Sequence, residues 1–339
     1  MHEATLSLAP GELVALLGRS GSGKTTLLRA VAGFERVAAG EIRLAGELIE
    51  SPDHHVPAHR RSVGLVFQEY ALFPNLTVAR NIGYGLQRGE RRRVEELLRM
   101  AHLEGLGERY PHQLSGGQQQ RVALLRSLAP HPRVLLLDEP FSNLDAGLRV
   151  QMRDEVAAIL RAEGMTALLV THDRADAMAI ADRVAVMEAG QIVEIAPPRT
   201  LYFEPATRIG AAYAGDVQFV PAQGRGAVAE SVLGQIPLVR PFHGPCDLLV
   251  RPEWLRLRHG GTPAHLLATR FEGAVTRIEL EVEGQRLRVT APSGEVPSAI
   301  ESAAIVVTVP LVPFPPAGVE AERPSPGPVL PSAQDLPSR

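Results

Sequence analysis

The run Gly18-Arg19-Ser20-Gly21-Ser22-Gly23-Lys24-Thr25 constrains this chain more than any other segment, because of what stands on either side of it. Before it lies the apolar run Leu13 to Leu17, bounded by Gly11 and Gly18; after it, Thr25 to Ala32 has helical composition until Gly33 stops it. The pattern predicts strand, tight loop, helix. In the spacing G-x-x-x-x-G-K-[ST] the glycines let successive backbone N–H groups turn inward on an anion, and the following helix adds its positive end. Phosphate oxygens suit such a loop. Lys24 would reach the β and γ phosphates of a nucleotide, and Thr25 would offer its hydroxyl to a Mg²⁺ ion bridging them. A glycine-rich turn with no ligand would not need strand and helix in these places.

Further strands are expected at Ile42 to Leu44, Val63 to Phe67, Val134 to Leu137, Thr166 to Thr171 and Arg183 to Met187, with a mostly helical stretch from about 78 to 130. Strands alternating with helices predict an α/β fold, a mainly parallel sheet covered by helices and interrupted by a helical insertion. After about Gly215 the composition shifts to short alternating segments, Cys246 to Val250, Trp254 to Arg258, Ala274 to Val282 and Gln285 to Thr290, which predict a small all-β domain. The expected division is therefore 1–215, 216–310 and a disordered Pro-rich tail over 311–339.

Composition narrows the function classes. The 35 Lys and Arg against 38 Asp and Glu leave no basic surplus for nucleic-acid binding. Arg91-Arg92-Arg93 reads as a solvated helix face. Cys246 is the single cysteine, so no internal disulfide or multi-cysteine metal site is open to the chain, and a reducing compartment fits. No stretch approaches the ~20 apolar residues that span a bilayer.

Asp138-Glu139 ends the run Val134-Leu135-Leu136-Leu137, a pattern for a buried central strand that delivers both carboxylates to the carboxyl edge of the sheet. Asp138 would hold Mg²⁺, mostly through water, and Glu139 would act as general base on an attacking water. Taken alone, such a pair is ordinarily a helix N-cap. His172 follows Ala167-Leu168-Leu169-Val170-Thr171 and should reach the same edge; Gln68 follows Val66-Phe67. By themselves both read as structural residues. Leu114-Ser115-Gly116-Gly117-Gln118 alone reads as a flexible loop.

Taken in order, these elements resemble the nucleotide-binding subunits of bacterial ABC importers. The Walker A loop is Gly18 to Thr25 with Thr26 after it, the Q-loop glutamine is Gln68 and the signature is Leu114 to Gln118. The Walker B pair is Asp138 and Glu139, the D-loop is Ser142-Asn143-Leu144-Asp145, and the switch histidine is His172. The likeness covers roughly the first 215 residues, and its ordered elements make it far more specific than a phosphate loop alone. It implies a P-loop ABC cassette that hydrolyses ATP with Mg²⁺, with Thr25, Gln68 and Asp138 around the ion and Glu139, His172 and Gln68 around the reacting water. It also implies a homodimer, in which Ser115, Gly116, Gly117, Gln118 and Asp145 of one copy meet the ATP cradled by Gly18, Arg19, Ser20, Gly21, Ser22, Gly23, Lys24, Thr25 and Thr26 of the other.

By the same resemblance, ATP closes the dimer, hydrolysis reopens it, and the segment Gln68 to Asn75 passes the motion to integral-membrane permease subunits. A periplasmic or extracellular substrate-binding protein would serve those subunits. The chain would sit peripherally at the cytoplasmic face of the inner or plasma membrane, with no nucleic-acid partner. Leu249-Val250-Arg251-Pro252-Glu253 and the strands after it are similar to the oligomer-binding-fold-like β domain of many importer ATPases, which implies dimer contacts or regulation.

One feature departs from the family pattern. Members normally carry an early strand with an aromatic residue that stacks on adenine, whereas no Phe, Tyr or Trp precedes Phe34 here. Either the platform is missing, which would weaken ATP binding by about 0.5 to 1.5 kcal/mol, or the true start lies upstream. For cargo, Pro140 to Asp145, Gln118 to Leu124, and Val170 to Asp173 with Ala181 to Met187 look most like the ferric-iron importer subgroup. Polyamine, thiamine, sulfate, molybdate and sugar importers share much of this and stay open. The alternatives of another class are a soluble ABC ATPase without a transport role, which usually carries two cassettes or long coiled coils, and a P-loop kinase, which would leave Leu114 to Gln118 unexplained.

Overall fold

Every residue of the first strand, β1 (Leu13–Leu17), is buried, and its side chains divide by alternation between two cores. Leu13, Ala15 and Leu17 belong to one apolar cluster, Val14 and Leu16 to another, as a strand covered on both faces requires. The computed structural model describes residues 3–87, 90–258, 262–296 and 304–317. The chain divides into two compact units, Met1–Asp216 and Val217–Arg339.

In the first unit β1 leads into α1 (Lys24–Ala32), which Gly33 terminates in the left-handed region at φ 88. A hairpin, β2 (Ile42–Leu44) and β3 (Glu47–Glu50), precedes β4 (Val63–Val66). The expected helical insertion follows as α2 (Val78–Ile82), α3 (Arg91–Met100) and α4 (Gly116–Leu128). Then come β5 (Val134–Asp138), α5 (Ala146–Ala162), β6 (Ala167–Thr171), α6 (Arg174–Ile180), β7 (Arg183–Glu188) and β8 (Gln191–Ala196). The helices α7 (Pro198–Phe203) and α8 (Arg208–Ala214) close the unit.

The sheet order is β4-β5-β6-β1-β7-β8, parallel throughout except for β8, which pairs antiparallel with β7. Alternation repeats in the central strands: Leu135, Leu137, Ala167 and Leu169 enter the first core, Val134, Leu136, Leu168 and Val170 the second. Because β1, β5 and β6 run in parallel, the residues after Leu17, Leu137 and Thr171 emerge at one edge. That edge carries the site.

The Arg91 to Arg93 face and the start of the tail differ from expectation. Arg92 does lie on a solvated face, pairing with Glu96 at 3.0 Å, but Arg93 is drawn inward and forms an ion pair with Glu163, both side chains being largely buried. In the second unit the expected tail begins too early. Leu311, Val312 and Phe314 are buried, and Pro313–Phe314 pairs with the Asp247–Leu248 segment, so alternating apolar residues carry the β unit past Pro310. The remainder of that tail, 318–339, lies outside the described residues.

The second unit is all β among its described residues. A long hairpin, β9 (Gln218–Ser231) and β10 (Gly234–Val250), is followed by β11 (Leu255–Arg258), β12 (Thr262–Pro263), β13 (His265–Phe271), β14 (Val275–Val282), β15 (Gln285–Pro292), β16 (Ala304–Val307) and β17 (Pro313–Phe314). They form three sheets, β17-β10-β9, β11-β16-β12 and β13-β14-β15. Alternate residues Ile278, Leu280 and Val282 of β14 face Leu287 and Val289 of β15 in the buried interior. Arg251 is fully buried with its guanidinium 5.5 Å from the Trp254 ring centre.

Candidate functional site

The glycine loop joins β1 to α1 in the manner its spacing predicts. Gly21 and Gly23 occupy the left-handed region at φ 81 and 104, where a side chain would be strained. Gly18 is required for space instead: a Cβ there would lie 2.5 Å from the Met187 carbonyl oxygen and from Ser22 Oγ. Lys24 is only 5% exposed, and its Nζ donates to the Gly18 and Arg19 carbonyls at 2.8 and 3.0 Å. Burial pushes the Lys24 pKa down, while Glu139 and Asp138 pull it up, so the ammonium is withdrawn from solvent and lies in the field of two acids. Thr25 and Thr26 are exposed on the first turn of α1, whose leading N–H groups have no acceptor within the helix.

The loop is braced from outside as well. The Gly190 N–H donates to the Ser22 carbonyl at 2.9 Å, and the Arg19 N–H donates to the Tyr213 hydroxyl at 3.1 Å. Ser22 Oγ is buried with no hydrogen-bond partner, an orphaned polar atom inside the cradle of the kind a phosphate oxygen would satisfy.

Asp138 is half-buried at the end of β5, directly paired with Val170 of β6. Its pKa is raised, first by burial and then by the Glu139 charge, with Lys24 and Arg29 opposing. Glu139 stands in the left-handed region at φ 44, a conformation that costs about 1–3 kcal/mol for a residue other than glycine. Its neighbours hold it there: its N–H donates to the Val170 carbonyl at 2.9 Å, and its own carbonyl accepts from the Ser142 N–H and hydroxyl at 3.2 and 2.9 Å. The exposed His172 puts Nδ1 3.0 Å from Glu139 Oε1. Lys24, Asp138, Glu139 and His172 thus converge at one sheet edge, brought there by β1, β5 and β6.

Gln68 joins this edge through its backbone. Asn143 Nδ2 donates to the Gln68 carbonyl at 3.0 Å, which ties the segment after β4 to the turn after β5, while the Gln68 side chain is exposed. Asn81, fully buried, anchors the following stretch. Its amide donates to the carbonyls of Phe73, Leu76 and Thr77 and accepts from the Phe73 N–H, at 2.9 to 3.1 Å.

Ser115 to Gln118 are not drawn into this cluster. Ser115 is the N-cap of α4 in a reciprocal box, its hydroxyl accepting from the Gln118 N–H at 3.3 Å and its N–H donating to Gln118 Oε1 at 3.0 Å. Gly117 is buried against α5, where a Cβ would stand 3.0 Å from Met152 Sδ. Among the described residues no hydrogen bond or ion pair joins this helix start to the Lys24 loop. Asp145 is the N-cap of α5, accepting from the Leu148 N–H at 3.0 Å.

Sequence reasoning missed two residues that shape the site. Arg149 donates to Asp173, the neighbour of His172, at 2.9 Å, and to the Ser142 and Leu144 carbonyls at 3.4 Å. Its only signal was an Arg one turn after the N-cap Asp145. Tyr213 had no local signal, since a tyrosine on a short helix reads as core.

This geometry defines a class: an ATP-binding α/β unit whose phosphate loop, acidic pair and histidine meet at the carboxyl edge of a mainly parallel sheet. Residues 1–142 match the family model described as ABC transporter. The chain is 46% identical over 285 residues, 81% of this chain and 78% of the relative, to a protein of Mesorhizobium japonicum named Fe(3+) ions import ATP-binding protein. It is likewise 46% identical over 304 residues, 84% of this chain and 80% of the relative, to a sulfate/thiosulfate import ATP-binding protein of Chromobacterium violaceum. Among solved structures, cbiO1 from Clostridium perfringens, described as part of the ABC transporter complex cbiONQ, aligns with a TM-score of 0.53 at 29% identity, covering 58% of this chain and 81% of that one. The chain belongs to the ABC transporter family, in its ATP-binding ATPase branch.

Proposed function

We propose that this chain is the ATP-hydrolysing subunit of an import system for ferric iron, working as a homodimer against membrane permease subunits. The observation that carries the reading is the convergence of buried Lys24 with Asp138, Glu139 and His172 at one edge, while the Ser115 helix start stands apart from it. A single chain then holds two half-sites. The cradle takes the phosphates with the N–H groups of Gly21 to Thr26 and with Lys24, and the capped start of α4 offers its free N–H groups to the γ-phosphate held by the other copy.

The residues also fit Mg²⁺. Among the described residues no cluster of three or more His, Cys, Asp or Glu forms a metal cage, and none is needed, since Mg²⁺ is commonly held by one or two protein oxygens together with phosphates. Thr25 and Asp138 would supply those oxygens, with Gln68 reaching in from its exposed loop. When bound, the ion neutralises charge developing on the transferring phosphate. Glu139, pinned by Val170 and Ser142 and steadied by His172, takes the proton of the attacking water. Its strained backbone is the cost of aiming the carboxylate off the end of β5 instead of along the strand.

The preference for iron rests on the relatives. The Mesorhizobium protein is named for Fe(3+) import, and a protein from Pseudomonas fluorescens, 47% identical over 260 residues, carries the same name. The sulfate/thiosulfate relative of equal identity supports the same role with a different cargo. Among the described residues no helix is long and apolar enough to cross a membrane, so a peripheral position on the cytoplasmic face, held by permease subunits, suits the chain. The test is reconstitution in vesicles with the permease subunits that co-purify with this chain and a substrate-binding protein that serves them. ATP hydrolysis stimulated by the binding protein loaded with ferric iron, and not with sulfate or spermidine, is expected. Stimulation by sulfate alone would overturn the cargo, and co-purification with ribosomes or DNA in place of a membrane protein would overturn transport.

A further inference from the structure

The Walker loop is gripped on its outer side by a side chain that none of the family motifs contains. The Arg19 N–H, second residue of the loop, donates to Tyr213 Oη at 3.1 Å, and that hydroxyl in turn donates to the Glu188 carboxylate. Tyr213 lies on α8, at the end of the first unit, and Glu188 ends β7, the strand paired with β1 on the side away from β6. The chain around Tyr213 is held at a second point close by, where Arg174 Nη1 meets Asp216 Oδ1 at 3.2 Å. Arg174 opens α6, two residues after His172. The stretch 213–216 is therefore fastened both to the phosphate loop and to the helix behind the switch histidine.

The arrangement has a clear physical sense. Residues Arg19, Ser20 and Gly21 form the exposed limb of the loop, and the inward turn of its N–H groups depends on how that limb leaves β1. Lys24 holds the limb from inside through the Gly18 and Arg19 carbonyls. On binding phosphate its ammonium must share those contacts with anionic oxygens; the Arg19 carbonyl keeps the Ser22 N–H at 3.2 Å, while the peptide joining Gly18 to Arg19, its carbonyl less firmly held, is still fixed through the Arg19 N–H. The Tyr213 hydroxyl, itself oriented by Glu188, is the acceptor for that N–H. Half-buried and beside a carboxylate, the phenol stays protonated: burial first and Glu188 next hold its pKa above the usual tyrosine value.

We propose that Tyr213 is a positioning residue of the nucleotide loop, acting on ATP affinity through the Arg19 backbone. It does not touch the reacting atoms. The inference rests on the reading of Gly18 to Thr25 as the ATP cradle, and the test separates the two.

The experiment measures ATP affinity, and the Km and kcat of hydrolysis, for the full chain and for Tyr213→Phe, Glu188→Gln and Lys24→Ala, with melting temperatures alongside. Tyr213→Phe removes one hydroxyl and keeps the ring. A net hydrogen bond of ordinary strength corresponds to a rise of about 2- to 13-fold in Kd and Km, with kcat changed less than twofold and no loss of melting temperature beyond a few degrees. Glu188→Gln keeps an acceptor for the hydroxyl and should stay nearer the parent than Tyr213→Phe. An unchanged Kd and Km in Tyr213→Phe, with nucleotide binding abolished in Lys24→Ala, would overturn the role of Tyr213 alone. Unchanged binding in Lys24→Ala would overturn the cradle itself. A fall confined to kcat in Tyr213→Phe would also count against the proposal, since a loop that binds ATP equally well has not been displaced.

Discussion

At the scale of the residue, the acidic pair shows how neighbours in sequence are given different work. Asp138 still belongs to β5 and keeps a regular strand conformation, so its carboxylate stays beside Lys24, in surroundings that raise its pKa. Glu139, one residue later, has turned into the left-handed region and meets His172. Replacing Glu139 with Gln keeps the shape and removes the carboxylate proposed to accept the water's proton. We expect Glu139→Gln to bind ATP with near-parent affinity while steady-state hydrolysis falls by about 10²- to 10⁴-fold; rapid turnover by this variant would reject Glu139 as base. Lys24→Ala should act earlier, weakening ATP binding itself, as equilibrium titration with a labelled nucleotide would show. The identity of these four residues was legible in the sequence from strand ends and spacing. The contact between Glu139 and His172, 33 positions apart, was not, because it depends on the register that pairs Asp138 with Val170.

At the scale of the element, α6 carries a buried acid, Asp176, whose titration is displaced. Asp176 is 3% exposed in the first turn of that helix, with one carboxylate oxygen lacking a hydrogen-bond partner and Arg153 no nearer than 3.8 Å. Burial, reinforced by Asp173, raises its pKa from 3.8 to about 6. The folded state therefore holds this proton more tightly than the unfolded chain does. The resulting stabilisation is complete below about pH 3.8 and is lost as pH rises through about 6. Asp176→Asn, which cannot ionise, should gain in melting temperature over the parent at pH 8 relative to pH 5, read by paired thermal scans. A constant difference across that range would show that the carboxyl titrates normally. The elements themselves differed in how readable they were. The strands of the main sheet are continuous apolar runs, visible without any partner. In β9 the residues Pro221, Gly224 and Gly226 break the alternation, and β13 is exposed at all seven positions, so neither gives a periodic signal. Pro241 of β10 falls in a register shift between Pro237 and Phe242, which needs the paired strand to be seen.

For the whole molecule, the separation of the Ser115 helix start from the Lys24 loop makes the assembly testable with inactive parts. Homodimers of Lys24→Ala and of Ser115→Arg should each hydrolyse ATP poorly, because each carries its defect in both composite sites. In a mixed dimer both defects fall in one site and leave the other intact. Mixing the two variants should therefore restore hydrolysis that neither shows alone, measured as phosphate release after co-refolding or co-expression. No recovery, with mixed dimers demonstrated by differential tags, would count against two half-sites per chain.

The strand, loop and helix around Lys24 were settled locally, since glycine conformational freedom, apolar runs and helix signals act over a few residues, and the order of the motifs then identified the family. The sequence likewise placed Asp138 and His172 at strand ends, because a buried parallel strand has a recognisable composition. Only the tertiary structure decided which groups surround these residues. Tyr213 reaches Arg19 from 194 positions away, Arg149 links the turn after β5 to the residue beside His172, and Arg93 turns inward to Glu163. Such contacts are selected by packing in space, where an arginine or tyrosine finds its partner through the fold and not through its neighbours in the chain.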